Sequence, residues 1–110
     1  MISRTWVAAA AAASASLMVG PAAEAAAEPR VHTIVMTAMR FGPVPAGIRT
    51  GDIIVWANRD MVPHTATVSG IFDVDVPARQ SRRMRVTRAG SFAFYCRYHP
   101  TMRSSFSATR

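Results

Sequence analysis

The residues able to do chemistry lie near the C-terminus, in the run Cys96-Arg97-Tyr98-His99-Pro100-Thr101-Met102. It spaces a thiol, an imidazole and a thioether as C-x2-H-x2-M. Pro100 stops a regular helix from running through the segment, so a tight loop can turn the three side chains toward one point. A second histidine, His64, stands far earlier in the chain, just after the strand-like run Ile53–Asn58. If that strand end meets the loop at one pole, the set becomes one thiolate, two imidazoles and a thioether. These are soft to borderline donors. Hard cations want oxygen, and zinc rarely accepts methionine. Two histidines and a cysteine in a trigonal arrangement, with a long axial methionine, suit a copper ion that passes single electrons. Such a site keeps no open position for a substrate, which argues against an enzyme. Taken singly, each residue has a plainer reading: a buried small hydrophobe for Cys96, a loop histidine for His64, packing for Met102. The set and its spacing favour ligation by His64, Cys96, His99 and Met102. His32 has no such support and reads as structural or exposed.

The chain that must position these residues has 110 residues, one cysteine, and 13 arginines with no lysine against 6 acids, for a net charge of +7. This length allows one domain. A single cysteine excludes an internal disulfide framework, a four-cysteine zinc site and an iron–sulfur cluster, and no C-x-x-C-H haem motif is present. Residues 1–27 have the layout of a secretory signal peptide. Arg4 supplies the positive start, Trp6–Ala13 and Leu17–Val19 the apolar stretch, and A-x-A patterns end at Ala25 and Ala27. Cleavage is expected near Ala25 or Ala27, leaving a domain over 28–110. The stretch is too alanine-rich, and too broken by Ser14, Ser16, Gly20 and Pro21, to make a good membrane span. Arg4 and Glu24 leave together, so the charge stays on the domain. Export makes the lone thiol an anomaly, since an oxidising compartment attacks an unpaired cysteine that nothing holds. A bound metal would hold it.

After residue 28 the pattern is of short strands divided by turns, with no convincing helix. Val31–Met39 is rich in β-branched residues. Phe41–Gly47 holds two prolines and two glycines and reads as loop or edge. Gly51-Asp52 is a turn. Ile54, Trp56 and Asn58 share one face of Ile53–Asn58 at period two. Ala66–Ser69 is short and β-prone. Phe72, Val74 and Val76 alternate with Asp73 and Asp75. Arg82–Thr87 is a further strand, Phe92, Phe94 and Cys96 share a face of Ser91–Cys96, and Ser105–Ala108 is a last edge strand. About 7–8 such strands predict an all-β, antiparallel sandwich or barrel.

At these residues the chain resembles the cupredoxins, most closely their amicyanin-like members. The resemblance runs from about Phe41 to Arg103 and is carried by Phe41-x-Pro43, Ile48, Gly51-Asp52, Ile54-x-Trp56-x-Asn58-Arg59-Asp60, Met61-Val62-Pro63-His64 and Gly90–Arg103 with its short C-x2-H-x2-M loop. It implies a Greek-key β-sandwich with one type 1 copper near one end, cycling between Cu(I) and Cu(II). It implies a soluble electron shuttle in the bacterial periplasm, with an amine dehydrogenase as donor and a c-type cytochrome as acceptor. It also implies that the edge of His99 is the electron port. The chain departs from the family at Tyr98, where proline is usual, at Thr65, where an asparagine braces the loop, and at Phe92, where a tyrosine is common. Its final strand is polar and short by comparison. Arg97 and Tyr98 are placed to tune the potential.

Two further features bear on partners. Residues 79–88 hold Arg79, Arg82, Arg83, Arg85 and Arg88. They read either as a solvated edge that discourages edge-to-edge pairing or as a docking face for an acidic redox partner. Nucleic acid is a poor fit for an exported chain, and a monomer is expected. Met36 and Met84 read as core, and Met61 as an apolar rim near His64. Exposed methionines keep open a copper-delivery role with the same four ligands. A thiol enzyme built on Cys96 lacks an orienting partner for its histidine and leaves Met102 unexplained.

Overall fold

The computed structural model describes residues 28–110 together with residues 3, 5 and 8–14. The expected cleavage points at Ala25 and Ala27 lie outside the described residues. Among those described, the fold is built from nine strands: β1 (Val31–Thr37), β2 (Arg40–Phe41), β3 (Ile48–Arg49), β4 (Ile53–Asn58), β5 (His64–Val68), β6 (Phe72–Val76), β7 (Ser81–Arg85), β8 (Gly90–Tyr95) and β9 (Arg103–Thr109). One sheet has the order β2-β1-β4-β7 and the other β3-β9-β8-β5-β6. No helix of the described residues is long and apolar enough to cross a membrane.

Period-two alternation selects what each strand buries. Ile34 and Met36 of β1, Ile54 and Trp56 of β4, and Phe92 and Phe94 of β8 are buried, and Phe106 and Ala108 of β9 join them. The centre is aromatic. Trp56 meets Phe94 edge-on at 5.0 Å between ring centroids, and Phe41 packs edge-on against Phe94 at 4.7 Å. These are favoured aromatic geometries. Met36 is fully buried and Met84 packs at the core's margin.

The sheets are mixed rather than purely antiparallel. β1 runs parallel to β4, with Val31 opposite Ile53 and Met36 opposite Asn58, and β3 runs parallel to β9. The chain leaves the first sheet after β2, lays β3 on the second, and returns as β4 in the same sense as β1. Parallel neighbours require such a crossover, and strand periodicity carries no trace of it. The final strand is longer than expected. Ser105 and Ser107 face outward, while Phe106 and Ala108 face the core and Ser104 lies half-buried on their side.

At the pole away from the Cys96 loop, His32 is buried and structural. Its Nε2 lies 2.8 Å from Asp52 Oδ2, and Asp52 also accepts from the amides of Arg49 (2.9 Å) and Arg30 (3.1 Å). Burial pushes the Asp52 carboxyl up, but the bonds from His32, Arg49 and Arg30 outweigh it and hold it at about 2, below the ordinary 3.8. A carboxylate depressed on folding adds stability above its unfolded value, and this is lost as pH falls through the folded value. The urea midpoint of the native chain should therefore exceed that of Asp52→Asn at about pH 6, with the gap closing as pH falls from about 4 toward about 2. A gap that does not change with acid would show that the Asp52 charge is not its source.

Candidate metal centre

His64 opens β5 and Cys96 follows the last residue of β8. These strands are antiparallel neighbours in a register that pairs Thr67 with Tyr95. The same register sets Cys96 opposite Ala66, and His64 lies two residues along β5 on that same inward face, diagonal to Cys96 although far from it in sequence. Both are fully buried. His64 Nδ1 lies 3.7 Å from Cys96 Sγ, and the Thr65 amide donates to that sulfur at 3.4 Å. The His99 ring packs edge-on against His64, 5.4 Å between centroids, and is half-buried. Met102 is buried. The loop closes on itself: the His99 amide donates to the Cys96 carbonyl (3.3 Å), the Met102 amide to the His99 carbonyl (2.8 Å), and the Cys96 amide to the Met102 carbonyl (3.0 Å). The C-x2-H-x2-M spacing is thus two successive turns, with a candidate ligand at the start, the junction and the end.

The other nitrogen of His64 is also engaged. Its Nε2 lies 2.7 Å from Asp60 Oδ2, four residues earlier. The bond from His64 holds the Asp60 carboxyl below the usual carboxylate range, against burial, with help from the Met39 and Ala38 amides. Since an ionised carboxylate only accepts, Nε2 carries a proton, and in the neutral imidazole it is Nδ1 that presents a lone pair toward Cys96. Two structures hold Asp60. Its own amide donates to Asn58 Oδ1 (2.9 Å), and the amides of Ala38 and Met39 donate to its carboxylate at 2.8 and 3.0 Å. Ala38 and Met39 form the two-residue turn between β1 and β2, with φ of 51° and 60°. Both positive values match a type I′ hairpin, which glycine or asparagine usually fills. The conformation is costly for these residues, and it aims two amides at the carboxylate behind His64.

The donor geometry accommodates an ion. Bond lengths of about 2.3 Å to sulfur and about 2.05 Å to nitrogen, opened to a trigonal angle of about 120°, separate the two donors by about 3.8 Å. Nδ1 and Sγ stand at nearly this distance. Among the described residues, no three His, Cys, Asp or Glu side chains converge closely enough to form a site by themselves. The nitrogen–sulfur pair is formed, His99 lies against it, and the fourth candidate is a methionine.

Sequence reasoning singled out His64, Cys96, His99 and Met102, and the structure gathers them at one end of the sandwich. It passed over Asp60 as a partner for His64, although the four-residue spacing was visible. The Thr65 departure leaves the loop braced nonetheless, because Thr65 Oγ1 accepts from the Arg97 amide at 2.9 Å. The apolar side chains of Met61, Val62, Tyr98 and Met39 are exposed around the site, with Arg79 against Met61 and Arg97 over Tyr98.

The fold is similar to that of several amicyanin structures. A methionine-to-alanine variant of amicyanin in its Cu(I) form is 24% identical over 78% of this chain and 87% of that one, with a TM-score of 0.61. A methionine-to-glutamine variant, also Cu(I), gives 22% and a TM-score of 0.63, and a second methionine-to-alanine variant gives 25% and 0.61, each with the same coverage. No protein-family model matches the chain, and no curated protein does.

Proposed function

We propose, for a chain whose fold is that of the cupredoxins, a type 1 copper protein that carries one electron at a time between redox partners. The proposed ligands are His64 through Nδ1, Cys96 through Sγ and His99, with Met102 as the weak axial donor. The observation that carries this reading is the His64–Cys96 pair: an imidazole Nδ1 and a thiol 3.7 Å apart, sealed from water, with the imidazole fixed from behind by Asp60. Bound copper would supply a one-electron couple. The chain supplies the rest. Asp60 sets the tautomer and angle of His64. The Thr65 amide faces the negative charge that Cys96 would carry as a thiolate. The two hydrogen-bonded turns and the packed sandwich resist rearrangement when the charge changes. His99, half-buried beside the apolar rim, is the proposed electron port.

Export by residues 1–27, a periplasmic setting, a monomeric state, and a dehydrogenase donor with a c-type cytochrome acceptor belong to the same reading. They are supported by the composition of the N-terminus and by the likeness to amicyanin. The arginines at 79, 82, 83, 85 and 88 are exposed before, on and after β7, an edge strand. This suits both a protected edge and a face for an acidic partner.

The copper-loaded chain should accept and return one electron reversibly and exchange it with a c-type cytochrome. If the arginines steer docking, the exchange rate falls at least about tenfold between about 0.01 and 0.5 M salt. A flat salt dependence would remove the docking role. Ready transfer of copper to an apo-acceptor, with no electron exchange, would replace the shuttle with delivery.

A further inference from the structure

We infer that Arg97 is a positioning residue for the candidate metal loop, acting through a hydrogen-bonded ring with Thr65, Thr67 and Asp73. The inference rests on the copper reading and extends it to residues outside the ligand set.

The first clue is two buried threonines on the wrong face. Thr65 and Thr67 alternate with the core residue Ala66, so they point to the outer face of the second sheet, yet they are 0% and 4% exposed. The Arg97 side chain spans from the end of β8 across β5 to β6. There Nε donates to Asp73 Oδ1 at 2.9 Å and Nη2 to Asp75 Oδ1 at 2.8 Å. Asp73 and Asp75 stand two apart on β6 and so share that outer face.

The second clue is that every proton in the ring has a defined direction. The Arg97 amide donates to Thr65 Oγ1 (2.9 Å). Thr65 Oγ1 and Thr67 Oγ1 are 2.9 Å apart, and Thr67 Oγ1 donates to Asp73 Oδ1 (2.7 Å). The carboxylate can only accept, so the Thr67 hydroxyl points to it and the Thr65 hydroxyl points to Thr67. Thr65 Oγ1 is left to accept the Arg97 amide. A one-way chain that ends on a charge reinforces each of its links. The Arg97 side chain then returns to the same Asp73 oxygen and closes the ring.

The ring pins the loop at the residue after Cys96, while the Thr65 amide reaches the sulfur itself. Arg97 also lies over the Tyr98 ring, 5.4 Å from its centroid, so the next loop residue is held too. The ion pairs are on the surface: Arg97, Asp73 and Asp75 side chains are 37%, 50% and 68% exposed. Such pairs add little to global stability. Their leverage is local, on the one segment that carries three candidate ligands.

Cys96 is fully buried, so its alkylation by iodoacetamide in the copper-free chain reports opening of the loop. Losing the buried Thr67 hydroxyl should raise that rate about tenfold in Thr67→Val, and releasing the side-chain anchor on Asp73 should raise it severalfold in Arg97→Met, whose backbone amide still donates to Thr65. The melting temperature of Arg97→Met should stay close to that of the native chain. Thr65→Ser keeps the hydroxyl and should alkylate at the native rate, whereas Thr65→Val should not. Thr67→Val combined with Arg97→Met should fall short of the product of the single effects, because both act through Asp73. Native alkylation in Thr67→Val and Arg97→Met would overturn the inference, as would increases that only track lost melting temperature. The copper reading fails separately, by the lack of a visible band on adding Cu(II), and that result would leave the alkylation pattern standing as evidence for the ring.

Discussion

Cys96→Ser abolishes the intense visible band of the copper-loaded chain and weakens copper binding by more than about a hundredfold. The serine hydroxyl nearly matches the thiol in size, so the buried site next to His64 still closes. What changes is the donor. A thiol gives up its proton readily near a metal and offers a soft, polarisable sulfur. A hydroxyl keeps its proton and offers a hard oxygen. The band arises from charge moving between thiolate and copper, so it goes with the sulfur while the fold stays. Absorption and copper titration of the purified variant check this. Retention of the band in Cys96→Ser would move the site elsewhere in the chain.

Trp56→Ala costs about 3–5 kcal/mol of stability. Domains of this kind hold only about 5–15 kcal/mol in all, so the variant sits near the edge of unfolding. Trp56 is fully buried on β4, the strand paired with both β1 and β7, and its ring touches Phe41, Phe72 and Phe94. Removing it leaves a cavity at the meeting point of both sheets. Trp56→Phe separates volume from polarity. Trp56 Nε1 is buried with no hydrogen-bond partner among the described residues, so phenylalanine loses some packing but removes an unpaired donor. It should cost less than half as much. Urea unfolding of the three chains measures both. A loss below about 1 kcal/mol in Trp56→Ala would contradict an aromatic core centred on this residue.

The sequence made the strands legible where one face is core and the other solvent. Ile54, Trp56 and Asn58, and Phe92, Phe94 and Cys96, lie at period two, and each set is buried as a set. The ligand loop was legible because its chemistry is local: three unusual residue types within seven positions. Pairings that depend on the path of the chain were hidden. Nothing in Val31–Thr37 says that it runs parallel to Ile53–Asn58, and the two-residue β3 is too short for any period. His64 reads as a residue after a strand rather than at the head of one, since Pro63 directly before it masks where β5 begins. The supports of the site were hidden for the same reason. Asp60 matters because the Ala38-Met39 turn arrives from another strand to hold it, and Thr65 braces the loop only through a register set by β5 and β8.

The central claim is most directly tested by adding Cu(II) to the purified chain and recording its visible spectrum. An intense blue band that saturates at one copper per chain, and bleaches reversibly on one-electron reduction, is the predicted result. A colourless chain that binds no copper under native conditions would contradict it.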